Sequence, residues 1–115
     1  MAAVYNFAID QGATFTIDFA YRTAANAVIP LTNYTARMQA RTSVTATSTV
    51  IDATTANGQL TVTGATGVVN LTLTATQTAA LSFATAVYDL EIVSPQNVVT
   101  RLVQGTIRLS PEVTR

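Results

Sequence analysis

Asp89 and Glu91, two residues apart in the run Tyr88-Asp89-Leu90-Glu91-Ile92, come closest in this chain to a catalytic or metal-binding pair. On an extended backbone, alternate side chains share a face, so the two carboxylates approach within several ångströms, as a glycosidase pair or a calcium site requires. The same spacing also describes the wet side of an amphipathic strand. That reading is the stronger, because no Asn/Asp-rich loop with metal-ligand spacing accompanies the pair, and it extends to Asp10 and Asp18. The serines Ser43, Ser48, Ser82, Ser94 and Ser110 have no histidine to activate them, since the chain contains none, and none stands in a G-x-S-x-G turn. Without cysteine or histidine the chain lacks a thiolate, a zinc–thiolate set, the usual neutral-pH base and the commonest transition-metal ligand. Gly64-Ala65-Thr66-Gly67 has neither the Lys nor the following helix of a phosphate loop and reads as a hairpin turn. Arg37 and Arg41, with Tyr21 and Tyr34 nearby in sequence, offer cations among aromatics, as single-stranded nucleic acid prefers. Against this, six basic residues balance six acidic ones, so the electrostatic footprint of such a surface is missing. The expectation is a protein that is not an enzyme, with no cofactor, no metal, no nucleic-acid partner and no small-molecule substrate.

The elements that carry these residues are strands. Thr is about one residue in five, and Thr, Val and Ile together suit a pleated, half-buried surface. The centre of the pattern is Ala86 to Ser110, two apolar-alternating runs around the turn-forming cluster Ser94-Pro95-Gln96-Asn97. In the first run Tyr88, Leu90 and Ile92 share one face and Asp89 and Glu91 the other. Earlier runs are Ala3 to Ile9, then Thr14 to Tyr21 with Phe15, Ile17, Phe19 and Tyr21 on a core face, and after a turn over Arg22 to Asn26 the short Ala27-Val28-Ile29. Leu31 to Tyr34 turns into Thr35 to Arg41, where Ala36, Met38 and Ala40 oppose Arg37, Gln39 and Arg41. Thr42 to Thr49 is a loop or weak edge before Val50-Ile51-Asp52. Asn57-Gly58 is the strongest two-residue hairpin signal and leads to Gln59 to Thr63. Val68 to Ala75 follows, then one short helical turn capped by Thr76. A bulge is expected at Gly105, because apolar parity changes between Leu102 and Ile107, and Pro111 ends the last strand. Seven to nine short strands with turns every 8 to 12 residues fit a single sandwich or small barrel over residues 1–115. Tyr88, at a strand start after a helical turn, sits where immunoglobulin-like sandwiches place a tyrosine whose hydroxyl bonds to upstream backbone.

Composition adds a statement about surroundings. Charged residues are 10% of the chain, well below the ~25% usual in soluble domains, which leaves a lone monomer poorly protected from association. All six basic residues are Arg and none is Lys. Compositional bias explains that as well as the preference of interfaces for Arg's planar fork does. No apolar run is long enough for a membrane helix, and Met-Ala-Ala-Val-Tyr-Asn does not read as a signal peptide.

The segments Y-N-F-A-I-D-Q-G-A-T-F, L-T-N-Y-T-A-R-M-Q-A-R, Y-D-L-E-I-V-S and V-T-R-L-V-Q-G-T-I-R-L-S-P-E-V-T-R, in that order, resemble the small immunoglobulin-like virion proteins of tailed bacteriophages. The layout is similar to the N-terminal domain of phage baseplate upper proteins, over Val4 to Arg115. The resemblance implies an immunoglobulin-like antiparallel β-sandwich with at most one short helical turn. It also implies a structural subunit of the tail, baseplate or fibre-attachment region, present in multiple copies and assembled into the virion in the host bacterial cytoplasm. Its partners would be other virion structural proteins. The residues expected at contacts are Arg37 and Arg41 on a wet face, Arg101 and Arg108 on the last strand, and the tail Glu112, Val113, Thr114 and Arg115. A capsid decoration protein is the alternative of the same class. A carbohydrate-binding or adhesin module is the alternative of another class, and eight aromatics mostly on core faces are few for it.

Overall fold

Side-chain alternation dictates the sheets. In β4 (Thr35–Arg41) Ala36, Met38 and Ala40 are buried while Arg37 and Gln39 face water. In β8 (Thr85–Val93) Ala86, Tyr88, Leu90 and Ile92 are buried in the same rhythm. The computed structural model describes residues 3–22, 25 and 27–114. The other strands are β1 (Ala3–Val4), β2 (Phe7–Asp10), β3 (Phe15–Ala20), β5 (Ile51–Thr54), β6 (Leu60–Thr63), β7 (Val68–Leu73) and β9 (Val99–Ser110). A larger sheet has the order β1-β9-β8-β4-β5, with β2 also pairing β9, and a smaller sheet has the order β3-β7-β6. The pairings are antiparallel except that β1 and β2 run parallel to β9. Two sheets face each other across Ile9, Phe19, Leu31, Met38, Leu60, Leu71, Leu90, Ile92 and Ile107. This is an all-β sandwich of nine strands, six in one sheet and three in the other. Among the described residues no strand covers the outer edge of β3.

Several elements differ from expectation, each for a local reason. The first strand is broken at Tyr5-Asn6. There the Asn6 Oδ1 accepts the Thr106 N–H at 2.9 Å, doing the work of a backbone carbonyl. Gly105 lies beneath that break, and a Cβ on it would collide with the Tyr5 carbonyl and come within 2.7 Å of Asn6 Oδ1. Gly105 is therefore a close-approach glycine and not a bulge. The bulge falls at Leu102, because Leu90 pairs Val103 while Glu91 pairs Arg101. Asn57-Gly58 joins β5 of one sheet to β6 of the other, so it is no two-residue hairpin. Asn57 Oδ1 accepts from the Thr54 and Gln59 N–H groups, and its Nδ2 donates to the Asp52 carbonyl, closing off β5 as the chain leaves the sheet. Of Ala27-Val28-Ile29 only an isolated bridge, Arg22 to Val28, is formed. The turn expected over Arg22 to Asn26 lies largely outside the described residues.

The short helix α1 (Ala75–Ala79) is capped by Thr74, two residues before the expected cap Thr76. Thr74 accepts from the Gln77 N–H at 3.1 Å while Gln77 Oε1 accepts from the Thr74 N–H at 2.8 Å, a reciprocal capping box. Gly64–Thr66 winds as a single 3-10 turn between β6 and β7. The buried Thr78 ties α1 to the β2–β3 turn, donating to the Ala13 carbonyl at 2.9 Å and accepting from the Gly12 N–H at 3.0 Å. Among the described residues no helix is long and apolar enough to cross a membrane.

Candidate functional site on the outer face of the larger sheet

The period of two that buries Ala36, Met38, Ala40, Leu90 and Ile92 necessarily turns Arg37, Gln39, Arg41, Asp89 and Glu91 outward on adjacent strands. Register then decides who meets whom. Arg37 lies opposite Glu91, and Gln39 lies opposite Asp89. The bulge at Leu102 brings Arg101 opposite Glu91, with Gln104 opposite Asp89. A regular β9 would turn Arg101 toward the core, so one extra residue keeps this cation on the polar face.

The side chains form three separate sets of contacts. Arg37 Nε donates to Glu91 Oε1 at 2.8 Å, and Arg101 Nε lies 3.6 Å from Asp89 Oδ2 while its Nη1 donates to Gln104 Oε1 at 3.1 Å. Arg41 has no carboxylate; it donates to Gln39 Oε1 at 2.9 Å and to the Ala46 carbonyl at 3.1 Å. Both ion pairs are well exposed, with Arg37 and Arg101 side chains 54% and 52% accessible, so each is worth on the order of 0.2–1 kcal/mol to folding. This set of contacts biases the long side chains toward one arrangement before any partner arrives. It borders an open depression of about 450 Å³, whose lining includes Gln39, Arg41, Asp89, Arg101 and the valines Val4 and Val44. Val4 and Val44 are 70% and 84% exposed. Polar centre and apolar rim together make a surface suited to a protein partner.

Of the contact residues read from the sequence, Arg37, Arg41 and Arg101 are thus brought together. Arg108 shares the face, but it pairs Thr85 and Ala8 at the far end of β9, beyond Gln104 and Thr106. The tail is elsewhere. The Glu112 N–H donates to Gln11 Oε1 at 2.9 Å and its carboxylate packs over Gly12, at the β2–β3 turn. Val113 and Thr114 are exposed, and Arg115 lies outside the described residues. The sequence reading missed Gln39 as the acceptor for Arg41, Gln104 as the acceptor for Arg101, and the valine rim. Consecutive apolar residues at Leu102-Val103 were the available sign of the bulge that places Arg101.

On the core side, the Tyr88 hydroxyl donates to the Tyr5 carbonyl at 2.6 Å. Its partner is upstream backbone, but that of the broken first strand and not of the neighbouring corner. Burial first, and the nearby Tyr5 second, push this phenol well above its ordinary pKa. Tyr88 also stands edge-on to Phe7 at 5.1 Å, while Phe7 stacks on Phe15 at 5.5 Å. It is a strut for the N-terminal strand. Among the described residues no group of three or more acidic side chains converges in a way that could hold a metal ion.

Comparison with protein-family models gives no match, and no curated protein is significantly similar to the chain.

Proposed function

We propose that this chain is a non-enzymatic structural subunit of a tailed-phage virion, in the tail, baseplate or fibre-attachment region, acting through protein–protein contacts. The observation that carries the reading is the outer face of the larger sheet. Arg37, Arg41 and Arg101 are pre-positioned there by Glu91, Gln39, Asp89 and Gln104, beside exposed Val4 and Val44. Arg enriched over Lys, a planar guanidinium donor array and an apolar margin are properties of protein interfaces. Holding the side chains in advance lowers the ordering cost of association. The sequence resemblance to small immunoglobulin-like virion proteins supplies the setting.

Quantitative mass spectrometry of gradient-purified particles, with immunogold labelling of the same particles, tests the proposal. The expected result is recovery in the particle with label on the tail. Label spread over the head would replace the tail assignment with capsid decoration, and absence from particles would overturn the virion assignment.

A further inference from the structure

Among the described residues, no strand pairs with the outer edge of the smaller sheet. β3 is its outermost strand and, at six residues, is longer than β5 and β6, the four-residue strands at two of the other sheet margins. Short edges resist unwanted pairing, whereas a longer one offers a template for a new strand. The Tyr21 N–H donates to the Gly67 carbonyl at 2.7 Å, and Tyr21 stands in line with the β3–β7 pairs. Antiparallel pairing alternates, so Phe15, Ile17 and Phe19 spend their backbone groups on β7 while those of Thr16, Asp18 and Ala20 point away from the sheet.

A slot of about 380 Å³ runs along this edge. Consecutive residues from Ile17 to Arg22 line it, so it follows the backbone and not one face of the strand. Across it stand Ala3 and Tyr5 of the broken first strand and Leu102 of the bulge. Tyr5 is 49% exposed. Largely apolar walls thus flank a row of amide donors and acceptors with no partner among the described residues, and the group that satisfies both is an extended polypeptide. At the end of the slot, Arg22 has no carboxylate partner among the described residues, whose ion pairs are Arg37–Glu91 and Arg101–Asp89.

We infer that the outer edge of β3 takes an extended segment of another polypeptide as a fourth strand of the smaller sheet. The segment's alternate side chains are apolar and enter the slot between Phe19, Tyr5 and Leu102, and an Asp or Glu of the segment meets Arg22. Main-chain bonds at Thr16, Asp18 and Ala20 give affinity, and the slot and Arg22 give choice of sequence. This surface is separate from the polar face and stands or falls independently of it.

The test pans a displayed library of random decapeptides against the full chain and follows amide exchange by NMR. Selected peptides are expected to alternate apolar residues and carry an acidic one. Binding should slow exchange at Thr16, Asp18 and Ala20 at least tenfold while leaving Ile17 and Phe19 unchanged. Ala20→Pro removes an outward N–H on an edge strand, where proline is tolerated, and should weaken binding about tenfold. Arg22→Glu should move selection toward basic residues. The exchange pattern on the unmodified chain decides the matter even if Ala20→Pro does not fold. A library without binders, binders that protect other amides, or binders indifferent to a folded Ala20→Pro would overturn the inference.

Discussion

Replacing Gly105 by Ala tests the junction on which the N-terminal strand depends. Gly105 lies opposite Tyr88 in the β8–β9 ladder. The added methyl would strike the Tyr5 carbonyl, which is backbone and cannot swing aside as a side-chain end can. Tyr5 is held from two directions, its N–H on the Gln104 carbonyl at 2.9 Å and its carbonyl under the Tyr88 hydroxyl at 2.6 Å. Asn6 is held by the Thr106 N–H at 2.9 Å. Making room therefore breaks three hydrogen bonds, and at about 1 kcal/mol each the expected loss is about 3 kcal/mol. For a domain of this size that lowers Tm by roughly 12 °C. Urea unfolding of wild type, Gly105→Ala, Tyr88→Phe and the double variant gives the mechanism as well as the size. Tyr88→Phe alone should cost about 1 kcal/mol, yet add less than about 0.5 kcal/mol once Gly105→Ala has removed its partner. A Gly105→Ala protein within about 0.5 kcal/mol of wild type, or strict additivity, would refute the assignment of Gly105 to close approach.

Three further outcomes follow from named contacts. Thr74→Ala removes the α1 cap and should destabilise the protein by about 1 kcal/mol in urea unfolding, whereas Thr76→Ala should change stability much less. The buried Tyr88 phenol has a pKa raised above its unfolded value near 10, so its contribution is complete below that pH and is lost as pH rises beyond it. Wild type should thus lose stability relative to Tyr88→Phe above about pH 10, by up to ~1.4 kcal/mol per pH unit, and parallel curves would contradict this. Arg37→Glu sets a like charge against Glu91 in an exposed pair; stability should fall by about 1 kcal/mol or less, while incorporation into particles, measured by mass spectrometry, should fall severalfold.

Sequence periodicity was legible wherever a strand has one wet and one dry face. The alternation in β4 and β8 named the buried residues and the outward Arg37, Asp89 and Glu91, and Ser94 to Asn97 is the hairpin turn, with Asn97 at φ 65°. Period alone does not say which sheet a strand joins. Asn57-Gly58 therefore looked like a hairpin, though Asn57 uses its side chain to end β5 before the chain crosses over. Alternation also runs unbroken through Tyr5-Asn6, because the break there is made by a side-chain oxygen taking a backbone role. In the Thr-rich stretch before α1 both Thr74 and Thr76 suit a cap, but only Thr74 has Gln three residues on, and that detail decides the helix start. β3 showed its core face correctly, yet Phe15, Ile17 and Tyr21 are only partly buried because the strand lies at the sheet's edge. The polar outer face required three strands in register and a bulge, and neither is written in any single segment.

A density map of the assembled particle examines the central claim most directly. The prediction is a nine-strand sandwich in the tail with Arg37, Arg41 and Arg101 buried against a neighbouring subunit. A map that leaves this face open to solvent, or that contains no such sandwich, would contradict it.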